Sequence, residues 1–219
     1  MSTRKVAVIT GGHPFDVQPF HHLFEQLPGI KAYIQHTDEF TSSPQEVRDG
    51  YDALVFYGML KDTPTNEAPW YARKPLAALE RLGQTHQGIV VLHHALLAYP
   101  DWPVWDEIAG VQARIMRSYH PGESLGVQVA APEHPICQGV SDFEMVDETY
   151  MMDVKPDAVE GNQVVLTTQH PRSIRSLGWA RTYQNARVFC FASGHGEATY
   201  ANPGFQRVLA NGILFVAEQ

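Results

Sequence analysis

Histidines that follow strand-like segments are the side chains best suited to chemistry in this sequence. In the run VVLHHALL (residues 90–97), β-branched and aliphatic residues end abruptly at His93 and His94. A second apolar run leads into ASGHGEATY (residues 192–200), which contains His195 and Glu197 in a His-x-Glu spacing. Because a nearby carboxylate orients an imidazole and raises its basicity, this pair predicts proton transfer. A surface turn with incidental polar residues is the alternative interpretation.

Two further stretches carry polar groups in similar settings. GGHPFD (residues 11–16) places His13 after a glycine pair, which lets a backbone approach a ligand closely. This stretch lacks both the dinucleotide-binding and the phosphate-loop signatures. VDETYMMDV (residues 146–154) contains Glu148 and Tyr150, and adjacent acids in a strand point to opposite faces. The alternative interpretations are that His13 is an ordinary turn residue and that residues 146–154 form a solvated strand end.

Alternating strand and helix signals in the first half of the chain would position these groups. Strands are predicted at residues 5–12, 30–36, 51–58 and 88–94, and helices at residues 17–27 and 70–83. Pro75 requires the second helix to be kinked or to start late. This alternation predicts a parallel sheet covered on both faces, with ligands bound at the carboxyl ends of its strands.

The second half is richer in strands. They are predicted at residues 125–131, 163–168, 176–183 and 186–194, the last two joined by a hairpin at Gln184–Asn185. Residues 119–122 are predicted to form a turn, and His134 to have a structural role. A final helix is predicted to begin at Pro203, with Asn202 as its cap.

The bulk composition limits the classes of function. The chain has 219 residues, which predicts a single domain over residues 1–219, and 44% of them are hydrophobic. A net charge of -8 without a basic cluster argues against nucleic-acid binding. No apolar run reaches the ~20 residues of a membrane span, and the N-terminus lacks a signal-peptide pattern, so a cytoplasmic location is expected. The two cysteines, Cys137 and Cys190, are expected to be free thiols.

Seven short stretches of the sequence occur in an order that resembles the trehalose-utilisation (ThuA-like) family. They are GGHPFD, VFYG, VVLHHAL, WPVWDEIAG, HPICQGV, DETY and SGHGEATYANPGFQRVLANGI, and they span about residues 6–216. The resemblance implies a class I glutamine amidotransferase-like fold, a flavodoxin-like three-layer α/β sandwich with a mostly parallel central sheet. It also implies a role in the metabolism of trehalose or keto-disaccharides.

The same resemblance bears on the nucleophile. In glutamine amidotransferases of this fold, a His-x-Glu pair activates a cysteine on a tight turn after a central strand. In this sequence His93 resembles the residue at that position, and neither cysteine follows a strand in this way. Since an imidazole cannot form the thioester that those enzymes use, glutaminase activity is not expected.

If the implied fold is correct, His13, His93 and His195 project at one sheet edge. With Glu148 they form a donor set suited to zinc or another divalent metal. A metal-free site in which His93 and His195 act as acid and base, and a hydrogen-bonded cluster without catalysis, remain open. His94 is expected to point elsewhere, into packing or the following helix.

The expected substrate is a small sugar, because the family resemblance implies one. Tyr57, Trp102 and Tyr150 would stack on sugar rings, whereas packing is favoured for Trp105. Glu148 would also contact the substrate, and hydroxyls would be bound by Asp101, Asp106 and Glu107. The leading hypothesis is an enzyme with His93, His195 and Glu197 as catalytic residues. The alternatives are a non-catalytic sugar-binding or accessory protein and a divergent amidohydrolase that uses metal-bound water. Exposed sheet edges and apolar loops also favour a homo-oligomer.

Overall fold

One mixed sheet organises the computed structural model, which describes residues 3–67, 74–112 and 114–218. Within these residues the sheet has nine strands in the order β2-β1-β3-β4-β9-β8-β7-β5-β6. The strands are β1 Arg4–Thr10, β2 Ile30–His36, β3 Ala53–Phe56, β4 Gly88–Leu92, β5 Met116–Val129, β6 Phe143–Met152, β7 Gln163–Thr167, β8 Ser176–Tyr183 and β9 Ala186–Phe191.

The two halves of the sheet differ in strand direction. Strands β2, β1, β3, β4 and β9 pair in parallel, whereas the pairings from β9 through β8, β7 and β5 to β6 are antiparallel. The α/β class is confirmed, but a mostly parallel, flavodoxin-like sheet is found in only one half. The physical reason lies in the connections: β8 and β9 are joined by the predicted two-residue hairpin, and such short links require antiparallel strands.

Short helices connect the strands, and one long helix closes the described chain. They are α1 Val17–Gln26, α2 Thr37–Ser42, α3 Gln45–Arg48, α4 Pro75–Leu79, α5 Pro103–Ala109, α6 Glu197–Tyr200 and α7 Pro203–Ala217, with 3₁₀ turns at His93–Leu97, Pro135–Cys137 and Pro156–Ala158. The helix predicted at residues 70–83 starts late, at Pro75, and its residues 70–73 lie outside the described part. Among the described residues, no helix is long and apolar enough to cross a bilayer.

Helix α7 fixes the position of β4, the strand that leads into His93. Its predicted cap is confirmed, because the Asn202 side chain accepts hydrogen bonds from the backbone N–H groups of Gly204 and Phe205. The helix packs so closely on β4 that a Cβ added to Gly88 would clash with the Val216 carbonyl oxygen. The absence of a side chain at Gly88 therefore permits this contact.

Residues 119–122, predicted to form a turn, lie within strand β5 of the β5–β6 ribbon. Strand β5 continues through this stretch, with a register shift between His120 and Glu123. Pro121 has no N–H group to donate to a ladder, and proline is tolerated in a sheet at such irregularities. The ribbon is consequently long enough for β6 to carry Asp147, Glu148 and Tyr150 to the edge where β4 ends.

Arg114 holds the segment that follows His93 and His94. Its guanidinium donates to the carbonyl oxygens of Leu96 (2.8 Å), Ala98 (2.6 Å) and Tyr99 (3.1 Å). Its Nε lies 2.6 Å from Asp106 Oδ1, and the residue is 5% exposed. A rigid fork of five donors suits this task, since one side chain satisfies three turn carbonyls and a carboxylate.

Replacement of Arg114 by methionine should therefore destabilise the fold. The change leaves Asp106 without its cation and three carbonyls without a donor, and we expect a loss of roughly 3–5 kcal/mol in the free energy of unfolding. Arg117 provides the control because its ion pair with Asp153 is largely exposed. Arg117→Met should change the stability by no more than about 1 kcal/mol. Urea denaturation measures both, and equal effects would contradict the role given to Arg114.

Candidate functional site

Four imidazoles meet at the carboxyl edge of the parallel half of the sheet. His13 follows β1, His93 and His94 follow β4, and His195 follows β9. The ring centroids of His94 lie 3.9 Å from His13, 4.5 Å from His93 and 5.4 Å from His195. The histidines are distant in sequence but close in space because parallel strands end at the same edge.

The glycine pair before His13 serves the fold. Gly12 has a φ of +72°, and a Cβ added there would lie 2.6 Å from the Met59 carbonyl oxygen. The close approach predicted for a ligand is therefore made by the neighbouring loop. Gly12 thus permits the close approach of the two loops, and the ring of His13, the next residue, lies 3.9 Å from that of His94.

His93 is fixed in one tautomer at a strained turn. It is 0% exposed and has a φ of +45°, which is costly for a residue with a side chain. Its Nδ1 lies 2.7 Å from the Ala192 carbonyl oxygen and must donate to it. The Nε2 lone pair therefore faces the cluster, where the Tyr150 hydroxyl lies at 2.8 Å and can donate to it.

His94 is the functional candidate that the sequence analysis missed. The expectation was that it would point into packing or the next helix, but its ring lies among His13, His93 and His195. It is 1% exposed, and neither ring nitrogen has a hydrogen-bond partner. Burial, followed by the neighbouring histidines, lowers its pKa far below the usual value. It is therefore a neutral imidazole with a free lone pair.

Glu148 connects the two halves of the cluster. Its Oε1 lies 3.7 Å from His93 Nε2, and its Oε2 lies 3.7 Å from His195 Nε2. Burial opposes ionisation of this carboxyl, but the combined interactions with His93, His195 and Tyr150 outweigh that effect and lower its pKa. Glu148 is therefore a carboxylate between two imidazoles.

His195 is the member of this pair that solvent can reach. Its side chain is 36% exposed, whereas the side chain of His93 is fully buried. Burial lowers the pKa of His195, and the opposing effect of Glu148 is smaller. At neutral pH the ring is neutral and can accept a proton.

Asp147 holds the loop that presents His195. It accepts hydrogen bonds from the backbone N–H groups of Gly194 (2.9 Å) and His195 (3.0 Å) and from Thr199 Oγ1 (2.8 Å). On the carbonyl side, the Tyr57 hydroxyl donates to Gly194 at 2.9 Å. The loop is thus fixed through both its donors and its acceptors. Consecutive acids on β6 have separate tasks, because Asp147 binds the loop and Glu148 faces the imidazoles.

Glu197 is placed away from the ring that it was predicted to orient. It is the first residue of α6 and is exposed, and its backbone N–H donates to Asp16 Oδ2 at 3.2 Å. The carboxylate next to the His195 ring is that of Glu148. Sequence spacing could not reveal this partner because it comes from another strand.

The aromatic residues predicted to stack on a sugar are covered by protein. Tyr57, Trp102 and Tyr150 are all buried. Trp102 packs against Tyr99 and Trp105, and Tyr150 stacks on His93 with ring centroids 4.6 Å apart. Tyr57 and Tyr150 therefore support the histidine cluster, and Trp102 packs the segment after it.

Both cysteines lie inside the fold. Cys190 is fully buried within β9, Cys137 is buried in a 3₁₀ turn, and both are free. Burial raises the pKa of each thiol. The turn after β4 begins with His93, and neither cysteine lies in it.

One group of side chains in the described part of the chain has the arrangement of a metal site. One ligand atom each from His93, His94 and Glu148 lies within 4.8 Å of the other two. The set predicted from sequence was His13, His93 and His195, with Glu148. His93 and Glu148 belong to both sets, whereas His94 was not predicted as a ligand.

Solved structures with a similar fold include a ThuA-like protein from Bacteroides uniformis, which is 18% identical with a TM-score of 0.74 over 98% of this chain and 92% of its own. A ThuA-like protein from Parabacteroides merdae is 18% identical with a TM-score of 0.71 over 99% and 90% of the two chains. A cytoplasmic protein from Salmonella typhimurium is 16% identical with a TM-score of 0.66 over 98% and 100%.

These likenesses concern the fold alone, because the identities are low. No curated protein matches the chain. The family model described as ThuA, trehalose utilisation, matches residues 5–216. The match covers nearly the whole sequence, and the chain therefore belongs to the ThuA family.

Proposed function

We propose that this protein is an enzyme that acts on a sugar or keto-sugar derivative, with His195 as its proton-transfer group. The observation that carries the proposal is the His195–Glu148 pair, in which a neutral, half-buried imidazole faces an ionised, buried carboxylate at 3.7 Å. Such a pair can take a proton from a substrate because the carboxylate stabilises the imidazolium that forms.

Substrate would approach from the side of His13 and His195. These two rings are partly exposed, whereas His93, His94 and Glu148 are buried behind them. A sugar hydroxyl, or a C–H group next to a keto group, supplies a proton of the kind that His195 would remove. His93, held by Ala192 and Tyr150, would contribute a hydrogen-bonding or ligating nitrogen at the base of the site.

The substrate class is proposed from the family. Its description, trehalose utilisation, supports a sugar or a sugar derivative. A cytoplasmic location is proposed on two grounds, the cytoplasmic Salmonella protein of similar fold and the two free thiols, which suit a reducing compartment. Glutaminase activity is not proposed, because neither buried thiol lies at the turn after β4.

A non-catalytic sugar-binding protein is the second candidate, and the position of Glu197 favours it. In the glutamine amidotransferases to which the His-x-Glu spacing was compared, both residues of the pair act together on the nucleophile. In this protein Glu197 is exposed. Calorimetric binding of trehalose or keto-disaccharides without any turnover would support this candidate over the enzyme.

His195→Ala should abolish turnover while leaving the fold intact. The ring is partly exposed and the loop is held through backbone groups, so the truncation removes a proton-transfer group with little loss of packing. We expect kcat to fall by about 10²–10⁴-fold. Product formation from a panel of trehalose, its keto derivatives and related disaccharides, followed by mass spectrometry, measures this.

His86→Ala is the matched control, since His86 is an exposed histidine whose ring contacts the Asn185 carbonyl oxygen. It should retain wild-type turnover. Full activity in His195→Ala would reject His195 as the proton-transfer group.

Asp147→Asn should impair catalysis through the position of His195. Asparagine has an NH₂ group where aspartate has a second accepting oxygen. This group would face N–H or O–H donors that have lost their acceptor, which should cost about 1–3 kcal/mol in the free energy of unfolding. Loosening of the loop should lower kcat by about 10²-fold, since small displacements of a catalytic group are costly. NMR of the His195 ring would report the change in its environment.

Asp142→Asn tests the specificity of that effect. Asp142 also accepts a hydrogen bond from a backbone N–H group, that of Val129, but it lies outside the histidine cluster. Its replacement should leave kcat unchanged. Wild-type kcat in Asp147→Asn would show that the loop keeps His195 in place without this carboxylate.

A further inference from the structure

We infer that the site binds a divalent metal ion of the zinc type through His93, His94 and Glu148. This inference deepens the proposed function, on which its catalytic meaning rests, by assigning the buried half of the site. His195, the proposed proton-transfer group, stays outside the ligand set. The ligands differ from those predicted from sequence because His94 takes the place of His13 and His195.

The donor atoms suit such an ion in type and position. Two imidazole nitrogens and one carboxylate oxygen are a set that zinc accepts in catalytic sites, with a remaining position for water or a substrate oxygen. The three ligand atoms lie within 4.8 Å of one another, and the three residues are 0%, 1% and 8% exposed. The remaining position would face the partly exposed rings of His13 and His195.

His94 supplies the observation that points independently to a ligand. Both of its ring nitrogens are buried without a hydrogen-bond partner. A buried polar group is almost always paired, because leaving it unpaired costs free energy that an apolar side chain of similar size would not. Coordination by His94 gives one of these nitrogens a partner.

His93 is already oriented as metal-bound histidines are. Such ligands commonly donate their other ring N–H to a backbone carbonyl, which fixes the tautomer and the ring plane. The Nδ1 of His93 makes this contact with Ala192 at 2.7 Å, so Nε2 carries the lone pair and lies 3.7 Å from Glu148 Oε1.

Tyr150 competes with the ion for His93. Its hydroxyl lies 2.8 Å from Nε2, and it also interacts with Glu148. Binding of the ion to Nε2 would displace this hydrogen bond, and the hydroxyl can remain with the carboxylate. Removal of the hydroxyl should therefore favour the ion. When bound, the ion would polarise a hydroxyl or keto oxygen of the substrate next to His195.

Calorimetric titration of zinc chloride into chelator-treated protein without a histidine tag tests the inference. The wild-type protein should bind zinc at a single site, and His94→Asn and Glu148→Gln should weaken that binding at least ~10-fold, since each removes a ligand. Tyr150→Phe should bind at least as tightly as the wild type. The opposite directions of these changes distinguish ligand loss from general damage to the site.

His22→Asn controls for adventitious binding. His22 is exposed on α1, next to Glu25 and Gln26, and offers zinc a surface site of the ordinary kind. Its replacement should leave the affinity unchanged. The absence of stoichiometric zinc in the wild-type protein, or wild-type affinity in His94→Asn, would overturn the inference.

Thermal unfolding of His94→Leu gives a readout that is independent of activity. Without metal, the variant should melt no lower than the wild type, because leucine fills a similar volume without unpaired nitrogens. Zinc should raise the Tm of the wild type and not that of the variant. A lower Tm for the metal-free variant would show that the His94 nitrogens are satisfied without an ion.

The two proposals fail in different ways. Absence of zinc binding together with turnover in metal-free protein would reject the metal site and leave the His195 enzyme standing. Tight zinc binding that depends on His94, without turnover of any sugar in the panel, would support the metal site and reject the proposed enzyme.

Discussion

Burial of ionisable groups at the end of an apolar sheet is the constraint on which this structure depends. A polar group removed from water costs free energy unless it is paired. Asp147 meets this demand with three donors, and His93 meets it with a carbonyl and a hydroxyl. His94 differs from these two residues, because both of its ring nitrogens are buried and unpaired. An open imidazole beside two fully paired residues has the character of a binding site.

The turn after β4 links this chemistry to the core. His93 has a positive φ, so the backbone must hold a conformation that it would not adopt alone. Contacts on both sides support this turn. Helix α7 packs on Gly88 at the start of β4, and Arg114 donates to the carbonyl oxygens that follow the turn. Rigidity far from the imidazoles therefore determines where their nitrogens point.

The antiparallel half of the sheet has a functional consequence. A fully parallel sheet would place only strand ends at the site. The β5–β6 ribbon instead brings the middle of a strand to that edge, and so places Asp147, Glu148 and Tyr150 beside the histidines. The mostly parallel sheet that the family resemblance implied is not found in this half, where β5, β6, β7 and β8 pair antiparallel. Of these connections, the sequence indicated only the β8–β9 hairpin.

The sequence by itself determined which elements exist and which residues follow them. Apolar runs that end in Gly-Gly-His, His-His and Ser-Gly-His predicted strands with histidines at their carboxyl ends, and parallel pairing then requires His13, His93 and His195 to meet. Tertiary structure alone decided the partners of these residues. Glu148 faces His195 while Glu197 is exposed, and His94 points into the cluster, because side-chain direction after a turn depends on local φ and on packing from distant strands. Periodicity encodes the first kind of information, and only long-range contacts supply the second.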